Sequence, residues 1–422
     1  MPSNLKIGTL FYIFIHCFFK YTRSEILEFE SVLPPNHEDY DNLQPPKQYG
    51  LPTVVRFHVT VLSLDTIDEG SMTYVADIFL SQSWQDYRLR LPENMTMKYR
   101  LLPVNWLKKM WSPDSFFKNA KKVTFQEMTI PNHYIWLYSD RTILYMVKLT
   151  LLLSCSMKFE TYPHDTQICT MKIESLSYTT DDLLFDWEKE HPVVVEDTIE
   201  LPQHNLVDTS LGDCTKQYST GNFTCIQVLF TLKRRLGYYM FHTYIPTCLI
   251  VIMSWISFWI KPEAVPARVT LCVTSLLTLS TQHAQSQKSL PPVSYIKAID
   301  VFMSSCTVFV FASLMEYAMV NILLGEGLDE GIDEDGNKVV PQARKQTHPV
   351  SANKPRVLLV STLPDGTPHV PNGNRPRLKS SFHRRRTHHR RAILVDKISR
   401  VIFPLSFIIL NSVYWSIYLD GH

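Results

Sequence analysis

Three stretches of the chain, Tyr239 to Ile260, Val301 to Leu324 and Val401 to Leu419, stay apolar long enough to cross a bilayer as helices. A fourth, Arg268 to about Gln287, is interrupted by Thr270, Thr274, Thr278 and Thr281 and ends rich in Gln and Ser. A span striped in this way should face water or protein rather than lipid. The mean hydropathy of −0.07 would suit a soluble globule, but it averages these spans with a first 235 or so residues that alternate polar and apolar. Purely soluble, disordered and collagenous classes are excluded on that asymmetry. A formal charge of +2 gives no sign of nucleic-acid binding.

Residues 1–24 carry Lys6, an apolar run from Ile7 to Phe19, and a polar end at Lys20 to Arg23, the layout of a secretory signal peptide. No clear small-x-small cleavage site follows, so an uncleaved anchor is the alternative. The sequons at Asn94 and Asn222 agree with secretion. Between about Leu51 and Lys233, short alternating runs (Val54–Leu64, Thr73–Ser81, Thr142–Leu153, Thr166–Glu174, Cys225–Leu232) are separated by turn residues, which predicts an all-β sandwich. Residues 325–391 open acidic, are rich in Pro, and close on Arg384-Arg385-Arg386 and Arg390-Arg391, which marks a cytoplasmic loop. The expected plan is a signal peptide at 1–24, an extracellular β-domain at 25–237, three spans in 238–324, that loop at 325–391, and a last span in 392–422. Both termini would then be extracellular in a multi-pass plasma-membrane protein.

Cysteines follow the same division. Cys155, Cys169, Cys214 and Cys225 lie in the secreted part as two close pairs, which suggests two disulfides, with buried free thiols as the alternative. Cys155 and Cys169 enclose thirteen residues that include Tyr162-Pro163-His164-Asp165. This loop, followed by four spans, resembles the signature of the pentameric Cys-loop ligand-gated channels. Trp84, Trp111-Ser112-Pro113-Asp114, Arg234-Arg235 and Pro266-Ala267-Arg268 are similar to positions of the anion-selective branch. Phe116 to Lys121, Ile130 to Tyr134, Ser275 to His283 and Cys306 to Phe311 resemble the arthropod histamine-gated chloride channels. The resemblance implies an extracellular β-sandwich on a four-helix transmembrane bundle, five copies around a pore, as a homomer or with similar subunits. It also implies a coupling role for Tyr162, Pro163, Asp165 and Lys288.

Without the resemblance, Thr270, Thr274, Leu277 and Thr281 share one helical face by spacing alone. Five copies would give hydroxyl rings and one apolar ring at Leu277, a candidate dewetting gate. The alternative is a buried helix whose threonines bond their own carbonyls. With the resemblance, Pro266 and Ala267 precede Arg268 at the inner end, where similar cation-selective channels carry a carboxylate. A helix N-terminus there favours anions such as chloride. Arg268 could instead only anchor the helix at the lipid boundary.

Carried over by resemblance, the transmitter site lies between subunits. Its principal face would use Phe116, Glu174, Ser175, Leu176, Tyr178, Tyr218, Thr220 and Phe223, and its complementary face Phe79, Ser81, Leu144 and Met146. Aromatics around an ammonium each add roughly 0.5–2 kcal/mol, and Glu174 would add a charge-assisted hydrogen bond. Amino-acid-gated relatives resemble one another in an arginine where Ser81 stands, and that arginine holds a carboxylate. Histamine has no carboxylate, so the reading is a histamine-gated chloride channel of inhibitory, postsynaptic type. Gating by glycine, GABA, glutamate or pH is the alternative, as is an anchored accessory or adhesion subunit. No H-E-x-x-H or Gly-rich phosphate loop is present and glycines number only 13, so no enzyme, metal or cofactor is expected.

Overall fold

Among the described residues, fourteen strands are followed by four long helices. A computed structural model describes residues 28–34, 40–91, 98–288, 290–329 and 377–419. The signal-like leader, Asn94 and most of the basic-ended loop lie outside the described residues. Contacts divide the chain into two units, a β-unit and a helical unit, with residues Thr161–His164 belonging to the helical one.

In the β-unit, the long strands are β1 (Thr53–Asp68), β2 (Thr73–Gln85), β7 (Thr142–Ser154), β8 (Thr166–Ser175) and β14 (Cys225–Arg234). One sheet runs β10 (Val193–Val195), β1, β2, β7, β6 (His133–Tyr138) and β3 (Tyr99–Leu102), with β5 (Ala120–Phe125) and β9 (Leu183–Trp187) paired alongside. The second runs β11 (His204–Asp213), β14, β8 and β4 (Ser115–Phe117). Period-two alternation explains the packing. Phe57 and Val59 of β1, Ile78 and Leu80 of β2, and Leu149 and Leu151 of β7 are buried, as are Met171, Ile173, Val228 and Phe230 of the second sheet. Tyr74 ties the two sheets, its ring edge-on to Phe230 and its hydroxyl donating to the Thr170 carbonyl at 2.8 Å. Burial pushes that phenol well above its ordinary value.

Disulfides join Cys155 to Cys169 and Cys214 to Cys225, the pairing expected from their spacing. The first closes a loop of 14 residues' separation, for which chain-entropy reasoning gives about 3 kcal/mol. Replacing both Cys155 and Cys169 with alanine should therefore lower the thermal midpoint of the detergent-solubilised receptor by several degrees, read by tryptophan fluorescence.

In the helical unit, α1 (Gly237–Trp259) and α3 (Ala298–Asp329) contain segments, Gly237–Trp259 and Ala298–Leu324, long and apolar enough to cross a membrane. They pack with α2 (Val265–Gln287) and α4 (Arg377–Leu419). The bundle core holds Phe258, Cys272, Leu279, Phe302, Met303 and Cys306. Phe309 meets Phe403 and Phe407 edge-on across α3 and α4. The last helix starts at Arg377, well ahead of the apolar run at Val401.

Candidate ligand-binding site and pore face

Glu174 sits at the centre of the principal set. In the β8 ladders it is directly opposite Phe116 of β4 on one side and Cys225 of β14 on the other. One residue therefore keys three segments, because Cys225 also roots the disulfide-tied hairpin of β12 (Lys216–Tyr218) and β13 (Gly221–Phe223). The Glu174 carboxylate is buried and already carries partners. Lys118 forms an ion pair with it, and the Tyr218 hydroxyl donates to its Oε1 at 3.0 Å. Lys118 Nζ also donates to the Tyr218 oxygen at 2.6 Å and lies 5.3 Å from that ring's centroid. Phe223 stands edge-on to Tyr218 at 5.7 Å. Partial desolvation pulls the Lys118 ammonium down, but its hydrogen bonds to Glu174 and Tyr218 outweigh this and hold it above its ordinary value. The carboxylate that the resemblance offers to a ligand ammonium is thus paired in the fold with a lysine 56 residues away in sequence.

Other members of the set shape the backbone. Ser175 is fully buried, its hydroxyl donating to Asp114 Oδ1 at 2.8 Å and lying 3.0 Å from the Tyr178 carbonyl oxygen. Asp114 Oδ2 accepts the backbone N–H of Leu176 and Ser177. Tyr178 packs on Trp111 and donates its hydroxyl to the Leu43 carbonyl at 2.7 Å. Ser175 and Tyr178 thus hold the turn rather than present free polar atoms, while Leu176 and Thr220 are exposed. Asp114, quoted above only as part of a motif, is the clamp of that turn. Asn222 is exposed on the same hairpin, its carbonyl accepting the Thr180 N–H.

The second set lies on the other sheet. Ser81 is directly opposite Met146, Ser83 opposite Leu144, and Phe79 opposite Lys148. Core residues occupy the alternate positions, so Phe79, Ser81, Leu144 and Met146 share the outward face. Ser81 is itself buried there. Within one β-unit the two sets are thus carried by different sheets.

On α2, Pro266, Ala267, Thr270, Thr274, Leu277 and Thr281 are all exposed, Leu277 by 61%. Each threonine hydroxyl bonds its own helix: Thr270 donates to Pro266 O at 2.7 Å, Thr274 to Thr270 O at 2.7 Å, and Thr281 to Thr278 O at 2.8 Å. Arg268 departs from the expectation. Its side chain is fully buried, donating to Asp396 of α4 at 2.7 Å and to Glu316 of α3 at 3.4 Å, with Tyr317 at 5.5 Å. It does not lie on the exposed face but is buried beside two carboxylates on neighbouring helices. Glu263 is exposed and lies 3.8 Å from His389.

The proposed coupling residues part company. Tyr162 accepts the Ile299 N–H at 3.0 Å and meets Tyr239 edge-on, and His164 packs among Tyr244, Tyr414, Trp415 and Tyr418. Pro163 is buried between them in sequence. Asp165 instead belongs to the β-unit, where Arg234 donates to it at 2.7 and 3.1 Å. Lys288 is exposed at the end of α2.

Strand-borne polar and aromatic groups gathered under a disulfide-tied hairpin, followed by a helix with an exposed hydroxyl stripe, describe a receptor that is also a conduit. This is the class of ligand-gated channel subunits. Residues 30–236 match the family model described as neurotransmitter-gated ion-channel ligand binding domain, and residues 243–334 match neurotransmitter-gated ion-channel transmembrane region. The chain belongs to the neurotransmitter-gated ion-channel family. It is therefore a membrane channel subunit and not an enzyme. It assembles with similar subunits, five around a pore, and answers a small-molecule transmitter.

Proposed function

We propose that this subunit forms an anion channel opened by histamine at a site between neighbouring subunits, giving inhibitory postsynaptic transmission, with both chain termini extracellular. The observation that carries the ligand is position 81. Where a carboxylate-bearing transmitter would need a cation, the outward face offers a buried serine opposite Met146. A carboxylate desolvated there without a partner loses several kcal/mol. Glu174, Tyr218 and Phe223 suit the ammonium, and Thr220 and Ser81 have hydroxyls for the neutral imidazole. For the ion, the exposed start of α2 presents Pro266 and Ala267 and no carboxylate, with backbone N–H groups favouring an anion. Leu277 is the apolar ring of the exposed face and serves as the gate.

Voltage clamp of oocytes expressing the chain tests both parts. Histamine should evoke a current whose reversal follows the chloride potential when external chloride is replaced. Glu174→Gln should raise the half-activating histamine concentration about 10–100-fold, the worth of a charge-assisted hydrogen bond. A wild type that reaches the surface, ignores histamine and opens to glycine or glutamate would refute the ligand, and reversal following sodium would refute the ion.

A further inference from the structure

Lys118 is the charged group in the ligand cluster for which the proposed chemistry has no use. It follows β4, where alternation puts it on the same side as Phe116, and its N–H is fixed to the Lys172 carbonyl at 2.9 Å. That anchorage delivers its ammonium to the place where a transmitter's ammonium would go. It pairs with Glu174, bonds the Tyr218 oxygen and lies against the Tyr218 ring. We propose that Lys118 is a tethered stand-in for the transmitter's ammonium, filling the amine position of the unliganded subunit so that an agonist binds by exchange with it. This rests on the reading of the cluster as the transmitter site.

Two features favour exchange over a permanent staple. The Glu174 side chain is only 6% exposed, so an empty site without a cation would leave a buried, unpaired carboxylate. The lysine side chain, by contrast, is 31% exposed and Tyr218 38%, so the ammonium has a path to water when displaced. Exchange of one ammonium for another keeps Glu174 paired throughout. It also releases the Tyr218 oxygen from Lys118, while the Tyr218 hydroxyl keeps its bond to Glu174 Oε1. A tethered competitor acts at the millimolar effective concentrations of short linkers, and lowers the apparent affinity of any amine by the fraction of subunits in which the site is vacant. Ligands of this site are therefore small molecules bearing an ammonium, and Lys118 sets the concentration at which they act.

The test compares wild type, Lys118→Met, Lys118→Gln and Lys118→Arg, with surface amounts measured by biotinylation and agonists histamine, GABA, glycine and glutamate, all of which carry an ammonium. Lys118→Met, or Lys118→Gln if the methionine variant does not reach the surface, should lower the half-activating concentration at least tenfold for whichever agonist opens the wild type. Lys118→Arg should stay within about threefold, and adding Glu174→Gln to Lys118→Met should cancel the gain. If histamine fails but another of the four works, the histamine assignment falls while the Lys118 comparison still decides this proposal. A silent wild type that becomes responsive as Lys118→Met is the extreme form of the expected result. A loss of response in Lys118→Met at normal surface amount overturns the proposal, since Lys118 would then face the ligand as its cation, and silence of both proteins overturns it as well.

Discussion

Asp396→Ala should leave almost no assembled receptor at the surface. Its carboxylate is the nearest partner of Arg268, at 2.7 Å, and Glu316, at 3.4 Å, is the second. All three side chains are at least nine-tenths buried. Removing Asp396 leaves the buried guanidinium to the longer Glu316 contact, and truncating a partner in a buried ion group costs up to about 3–5 kcal/mol, comparable to much of a domain's net stability. Removing the charges together costs far less, because apolar side chains of similar volume can replace a buried ion group. Detergent-solubilised Asp396→Ala should therefore elute as aggregate or monomer on size exclusion. Asp396→Leu combined with Arg268→Met and Glu316→Leu should recover much of the pentamer. Normal assembly of Asp396→Ala would mean that the guanidinium does not depend on this helix.

The second large effect belongs to Asp165. By sequence it reads as a coupling residue, but the structure pairs it with Arg234, which is also bonded to Glu69 at 2.6 Å. Asp165→Ala should cost the β-unit up to about 3–5 kcal/mol by removing the buried carboxylate that accepts from two Arg234 nitrogens, so its functional loss should track lost surface protein rather than binding without opening. Ligand binding at normal surface amount with no current would restore the coupling role. The neighbouring His204 gives a pH check. Burial, then the Arg234 charge, push its imidazole from 6.5 down to about 4, so it is neutral in the fold. The stability this contributes is complete above about pH 6.5 and is lost as pH falls through about 4. Arg234→Met should raise the His204 value and shift the lower end of that window upward.

Sequence alternation located the long strands closely. The run Thr142–Leu153 is β7 to within one residue, because one face of each such strand is buried and the period shows it. β11 was not legible: it is an edge strand, mostly exposed, and carries no inward stripe. The principal face was legible as a set of residue types, but not in its wiring. Periodicity within a segment cannot report that Lys118 meets Glu174, or that Arg268 turns toward Asp396, since these partners lie on other elements. One signal was available for the latter. Glu316 stands inside the apolar run Val301–Leu324, and a carboxylate in such a run requires a cation. Arg268, flanked by apolar residues at the start of the striped span, was a candidate of the right sign.

The threonine stripe of α2 has its hydroxyl protons turned toward helix carbonyls. What it shows to the open side is methyl groups and oxygen lone pairs, a surface better suited to solvating a cation than a chloride. On the anion reading, the lining must be recruited ring by ring, each hydroxyl rotating away from its carbonyl to offer a proton as the ion passes. Such a rotation forgoes a hydrogen bond worth about 0.5–1.5 kcal/mol and is a picosecond-to-nanosecond event for an exposed side chain. The polarity of the conduit is then a transient property summoned by its traffic, and unitary conductance becomes a measure of how readily five hydroxyls swing in concert.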